Sequence, residues 1–186
     1  MATIREGDKK VLLVVDVQVG VVENAWEAPR IIKNIVLAVE KARAQSAPVI
    51  WVQHADDGLT TGSPAWQLAP ELAPNQSEPL IHKQFNSSFE ETALEETLAE
   101  LDATHIVLAG AATNWCVRAT AYGALDRGYD LTLLKDAHTT NTDHLEDGAT
   151  IQAEDIIRDL NRVMAWISYP GRTSSTTAVE DVDFAN

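Results

Sequence analysis

Residues 11–18 read Val11-Leu12-Leu13-Val14-Val15-Asp16-Val17-Gln18. Five apolar residues run without alternation, with Lys9 and Lys10 before them and Asp16 after. A strand with one wet face alternates apolar and polar side chains. An unbroken run of this kind fits a strand covered on both faces, as in a parallel sheet. The carboxylate that ends the run needs a partner or a task, because burying a bare charge is costly.

Working outward, short apolar runs alternate with amphipathic stretches. Ile31, Ile35, Ala38, Val39 and Ala42 recur at helical spacing. Pro48 opens a second strand over residues 49–52. Residues 58–79 hold Gly62 and four prolines, Pro64, Pro70, Pro74 and Pro79, and read as a long structured loop. Leu80 and Ile81 make a weak third strand. Ser87 or Ser88 is expected to cap a helix carrying Leu94, Leu98 and Leu101. Residues 105–109 read as a fourth strand and 113–126 as a helix closed by Gly128. Residues 131–134 read as a fifth strand, 144–161 as a last helix and 163–167 as a sixth strand. Residues 169–186 are polar and aperiodic, and are expected to form a surface tail or a dimer arm beyond a domain of residues 1–168. The alternation predicts an α/β fold, a three-layer α/β/α sandwich on a six-stranded, mainly parallel, Rossmann-like sheet.

Ligands of such sheets bind beyond the carboxyl ends of the strands. Asp16, His54, Lys83, residues 110–116 and Asp136 follow strands one to five in turn. The polar candidates therefore gather at one edge.

Composition narrows the chemistry. The 186 residues hold 14 Lys and Arg against 28 Asp and Glu, a net charge of −14. Such a surface repels phosphate backbones and anionic lipids, so nucleic-acid and membrane partners are not expected. The apolar runs are too short to cross a bilayer. A single cysteine rules out an intrachain disulfide and a cysteine-rich zinc site. With no recognisable signal peptide, a reducing, cytoplasmic setting is expected. The five histidines show no metal-binding spacing, and the glycine-rich phosphate motifs and G-x-S-x-G are missing.

The lone thiol lies in Gly110-Ala111-Ala112-Thr113-Asn114-Trp115-Cys116, where a buried strand meets a helix start. Free N–H groups there stabilise a thiolate and can hold an oxyanion. A free cysteine equally often just packs, and the local context leaves both open. Asp16 is either a base for that thiol or a cap for the following loop. Lys83 is able to balance Asp16, although a lone lysine is ordinarily a surface residue. Tryptophans 26, 51, 66 and 115 are more often core than pocket.

Three segments in order resemble the isochorismatase-like cysteine hydrolases, which include nicotinamidases and N-carbamoylsarcosine amidases. They are residues 11–18 ending in D-x-Q, Lys83-Gln84-Phe85-Asn86-Ser87-Ser88-Phe89, and Gly110 to Ala121 as G-x-x-T-x-x-C-V-x-x-T-A. Gly128-Tyr129 and Lys135-Asp136-Ala137 also fit, so the likeness covers roughly residues 9–166. It implies Cys116 as nucleophile, Asp16 as proton carrier and Lys83 as the cation that holds both. It also implies a cis peptide between Ala111 and Ala112, with the Ala112 and Cys116 N–H groups as an oxyanion hole. Gln18, His54, Trp66, Phe89 and Trp115 are candidate pocket residues. Val52 stands where nicotinamidases carry a metal-binding Asp, so no metal or other cofactor is expected. The presence of Cys116 favours a small amide or carbamoyl substrate, cleaved at C–N through a thioester. A thiol-sensing binding protein and an ether hydrolase on the same scaffold are the alternatives. The resemblance also implies a homo-dimer or homo-tetramer. The net charge favours neutral or cationic small molecules, unless Lys83 and Arg118 form a positive patch.

Overall fold

The computed structural model describes residues 2–185. Its central sheet has six strands: β1 (Lys10–Val15), β2 (Val49–His54), β3 (Leu80–Lys83), β4 (His105–Ala111), β5 (Asp130–Thr139) and β8 (Ser174–Thr177). Two further short strands, β6 (Asp143–His144) and β7 (Thr150–Ile151), form a separate hairpin. The helices are α1 (Val19–Val22), α2 (Ala28–Ala44), α3 (Leu94–Glu100), α4 (Arg118–Asp126) and α5 (Ala153–Trp166).

The main sheet runs in the order β3-β2-β1-β4-β5-β8 and every pair in it is parallel. The strand order reverses between β1 and β4. Their carboxyl ends therefore flank the crevice where such sheets hold ligands.

The unbroken run in β1 is explained by its two faces. Leu12 and Val14 join a core with Trp51 and, from α2, Ile31 and Ile35. Val11, Leu13 and Val15 point the other way, into a core with Leu94 and Leu98 of α3, Ala121 and Leu125 of α4, and Leu160 of α5. Both layers are dry, so neither face of β1 tolerates a polar residue.

Several expectations are corrected. The expected sixth strand, residues 163–167, is the end of α5 and the residue after it. Ile156, Ile157, Leu160 and Met164 are buried at helical spacing, and that period carries through Val163. The sixth strand is instead β8, inside the expected tail, pairing Leu131–Leu134 of β5 with Ser174–Thr177. Its sequence is polar because it closes the sheet edge, where full burial is not required. Beyond it, Val179, Val182 and Phe184 enter the α2-side core. The Lys41 ammonium donates to the carbonyls of Val179 and Glu180, and the Phe184 N–H donates to Gln45 Oε1. Residues 174–184 are thus part of the domain and not an appendage; Asn186 lies outside the described residues.

The last helix begins at Ala153 rather than at 144, because residues 143–151 form the hairpin. Ser87 and Ser88 do not cap α3, which starts at Leu94 with Ala93 at its N-cap. Ser88 is buried and shares a hydrogen bond with Thr120 of α4 at 2.9 Å. Asp136 lies inside β5, where its Oδ1 accepts the Val179 N–H, so it belongs to the C-terminal anchor and not to the strand-end crevice. Among the described residues no helix is long and apolar enough to cross a membrane.

If residues 174–184 complete the core, Phe184→Ala should cost about 3–5 kcal/mol in urea unfolding. Deleting residues 174–186 should abolish the cooperative transition. An unchanged urea midpoint in both would restore the tail reading.

Candidate active site

Sheet register brings the crevice residues level. Val15 pairs with Val52 on one side and with Gly110 on the other, and His54 pairs with Lys83. Asp16, His54, Lys83 and the segment after Gly110 therefore emerge at one height. Gly110 has φ 134°, and a Cβ there would lie 2.0 Å from the Val15 carbonyl oxygen. Only glycine lets β4 pass so close to β1. Asp16 leaves β1 in the left-handed region, with φ 52°, which aspartate tolerates better than most side chains.

After β4 the Ala111–Ala112 peptide bond is cis. A π-helical turn, Thr113–Val117, follows and runs into α4. The wide turn is closed by the Val117 N–H donating to the Ala112 carbonyl at 3.2 Å. Cys116 sits on this turn, half-buried, and is not locked away as an inert core thiol.

Lys83 joins the pieces. Its side chain is fully buried, and Nζ lies 2.6 Å from Asp16 Oδ2. The same ammonium donates to Cys116 Sγ at 3.2 Å and to the Phe85 carbonyl at 3.1 Å, and lies 3.3 Å from His54 Nδ1. Three N–H bonds thus face four acceptors. With Nδ1 turned to an ammonium, His54 carries its proton on Nε2, which reaches Asp56 Oδ2 at 3.1 Å. Asp56 Oδ1 accepts the Gly58 and Leu59 N–H groups, and these contacts with His54 hold its carboxyl below the usual range.

Burial dominates the protonation of the inner groups. It pushes the Asp16 carboxyl up, against the pull of Lys83. Burial first, and then the negative charge of Asp16, push the Cys116 thiol up to about 12 while Lys83 pulls it down. At neutral pH the sulfur therefore keeps its proton, with the Asp16 carboxyl beside it.

The other candidate pocket residues divide. Gln18 is buried, and its amide is spent on backbone: Nε2 donates to the His54 and Trp66 carbonyls, and Oε1 accepts the His54 N–H. It ties the loop after β2 and the long loop to β1 and offers nothing to a ligand. Trp66 stands edge-on to His82 with ring centres 5.4 Å apart. Phe89 is not a pocket residue. It is 6% exposed, packs near Tyr129 and lies under the Arg127 guanidinium. Trp115, on the turn that carries Cys116, is 55% exposed.

Phe85, which the sequence did not single out, is 46% exposed at the mouth. Its only signal was its place two residues after Lys83. A cavity of 580 Å³ lies there, lined by Ala55, Asp56, Asp57, Thr60, Thr61, Gln84 and Phe85. A second, of 340 Å³, touches Lys83 and Glu91. The only cation on either lining is Lys83, already paired with Asp16. Arg118 is held by Asp159 at 2.7 Å. The positive patch that would have favoured anions does not form.

The residues do not fit a metal. Asp16, His54 and Cys116 are the one group among the described residues whose ligand atoms lie within 4.8 Å of one another. The Lys83 ammonium, within 3.3 Å of all three, already takes the place of a cation. Val52 contributes only apolar packing in β2.

An isochorismatase domain model matches residues 10–164. The chain belongs to the isochorismatase-like hydrolase family. It is 33% identical over 136 residues to a streptothricin hydrolase of Streptomyces noursei, covering 69% of this chain and 54% of that protein. The chain thus spans about half the length of that relative. It is 27% identical over 219 residues to the ureidoacrylate amidohydrolase RutB of Methylobacterium radiotolerans, covering 92% of this chain and 83% of that protein. The crystal structure of an isochorismatase from Pseudomonas putida superposes with a TM-score of 0.84 at 26% identity, over 96% of this chain and 94% of that one.

Alkylation of Cys116 by iodoacetamide should keep accelerating above about pH 10, where an ordinary thiol levels off. Lys83→Met removes the group that lowers the thiol pKa, so it should push the rise to still higher pH. A plateau by about pH 10 in the wild type would refute the buried-thiol assignment.

Proposed function

We propose that the protein is a cysteine hydrolase that cleaves the C–N bond of a small amide or carbamoyl compound without a cofactor. The observation that carries this reading is the single buried ammonium of Lys83, in contact with both Asp16 and Cys116. A lysine buried solely for stability has no reason to face a thiol.

In the proposed reaction Cys116 Sγ bonds to the carbonyl carbon as its proton passes to Asp16. The carbonyl oxygen becomes an oxyanion facing the Ala112 and Cys116 N–H groups. The C–N bond then breaks, and Asp16 returns the proton to the leaving amine. Water attacks the thioester and gives a proton to Asp16. The acid departs and the sulfur recovers its proton. Lys83 keeps Asp16 ionised between steps and offsets the charge on sulfur.

Support from the relatives is chemical. Those named as a streptothricin hydrolase and a ureidoacrylate amidohydrolase carry hydrolase and amidohydrolase names and align with 69% and 92% of this chain. The acidic lining of the larger cavity, Asp56 and Asp57, favours substrates that are neutral or bear a cationic group away from the scissile amide.

A panel of neutral, cationic and anionic amides with ammonia detection tests this reading. Turnover should fall about 10³-fold or more in Cys116→Ala. Equal rates would remove the cysteine mechanism and leave ether cleavage, and no turnover on any amide would leave the thiol-sensing reading. Cationic amides should have the higher kcat/KM, with the advantage reduced by salt and by Asp57→Asn.

The exposure of Phe85 and Trp115 beside the crevice, and of Trp166 at 82%, supports a second proposal, that the chain assembles as a homo-dimer or homo-tetramer. Light scattering at micromolar concentration should give at least twice the 20.3 kDa chain mass, and a monomeric mass would refute it.

A further inference from the structure

His138 takes no part in the proton transfers above, yet it is wholly buried on β5 and hydrogen-bonded at both ring nitrogens. Nδ1 lies 2.9 Å from Thr113 Oγ1, and Nε2 lies 3.0 Å from Asn161 Oδ1. The direction of each bond follows from the far end. Asn161 Nδ2 donates to the Lys135 carbonyl at 2.9 Å, and a carbonyl can only accept. The Asn161 oxygen therefore faces His138, so Nε2 carries the ring proton and Nδ1 is bare. A bare Nδ1 must accept, and the donor is the Thr113 hydroxyl. Burial drives the imidazole down to about 4, which keeps this neutral arrangement in place.

Thr113 is the first residue of the π-helical turn that carries Cys116. The next residue, Asn114, is tied as well: Oδ1 accepts from Thr140 Oγ1 at 2.6 Å, and Nδ2 donates to Asp143 Oδ2 at 2.9 Å. A π-helical turn is intrinsically less favoured than an α-helical one and occurs mostly where surroundings impose it. Relaxing it to an α-turn would rotate Cys116 relative to Lys83, whose contact with the sulfur is 3.2 Å.

We propose that His138 is a positioning residue: by accepting the Thr113 hydroxyl proton, it holds the turn in the form that keeps Cys116 against Lys83. The proposal rests on Cys116 being the nucleophile, but its primary test does not need turnover.

That test is hydrogen exchange of the Val117 amide, whose bond to the Ala112 carbonyl closes the turn. His138→Gln reaches the Nε2 position and loses the acceptor for Thr113. His138→Asn places a carbonyl oxygen where Nδ1 stood. Thr113→Val deletes the hydroxyl at nearly constant volume and leaves the histidine in place. Val117 exchange, relative to core amides of β1, should be about tenfold faster in His138→Gln and in Thr113→Val. The double variant should be no faster than either single, because both delete one bond. His138→Asn should restore protection. For a turned-over amide, kcat should fall about 10- to 100-fold in the same two variants with KM little changed. Uniform acceleration of all amides, additive effects in the double variant, or no rescue by Asn would overturn the proposal. If exchange follows the expected pattern while no amide is turned over, the clamp stands and the amidase reading falls.

Discussion

The Lys83–Asp16 ion pair sets the terms for the rest of the molecule. Taking an ammonium and a carboxylate out of water costs several kcal/mol per ion, recovered only when the partners are held in good geometry. At 2.6 Å, with both side chains at or below 1% exposure, the two charges are in contact, yet neither Asp16 oxygen is engaged by a well-aligned hydrogen bond, so the register of the strands has to hold the pair together. The two residues come from strands that are not neighbours, β1 and β3, with β2 between them. Their meeting depends on three strands keeping register to the residue, which depends in turn on the two dry layers around β1. A slip of one residue would turn Val15 and Asp16 to opposite faces and bury an unpaired charge.

The same constraint explains which parts of the fold were legible in the sequence. Residues 11–18 point to a strand buried on both faces because a strand with one wet face would alternate apolar and polar side chains. The meeting of Asp16, His54, Lys83 and Cys116 was legible from strand ends, although they are spread over 100 positions. What was not legible depends on contacts remote in sequence. Strand β8 is polar because it lies at the sheet edge, and Ser174–Thr177 carry no apolar pattern to mark it. The three apolar residues after it, Val179, Val182 and Phe184, look scattered until the groove beside α2 is known to receive them. Phe89 and Phe85 are equal candidates by type. The structure separates them because one faces Tyr129 and the other faces the crevice. His138 was visible only as a histidine without metal spacing, since its partners lie 25 and 23 residues away.

The acidity of the chain also gains a local meaning. A net charge of −14 says nothing about a buried crevice whose inner groups are one cation, one anion and a thiol. It acts at the mouth, where Asp56 is held ionised by His54 and two backbone N–H groups. His54 therefore connects an acidic rim to the inner lysine through its two nitrogens. Under the proposed function, charge on a substrate would be met at this rim first.

The raised thiol pKa and the raised carboxyl pKa suit the proposed chemistry better than a resting thiolate would. With the sulfur protonated, Asp16 negative and Lys83 positive, the inner site is neutral overall. Moving the proton from sulfur to Asp16 leaves it neutral, with the negative charge displaced by less than 4.8 Å and still beside the same ammonium. Burial penalises net charge heavily and charge-neutral exchange lightly. Desolvation therefore raises both acids without opposing transfer between them, and the two titrate as a coupled pair. In the proposed reaction the sulfur is protonated at rest, and it gives up its proton only as the new bond to carbon forms. A surface thiol at a helix start would have the opposite balance, ionised at rest and weaker in attack.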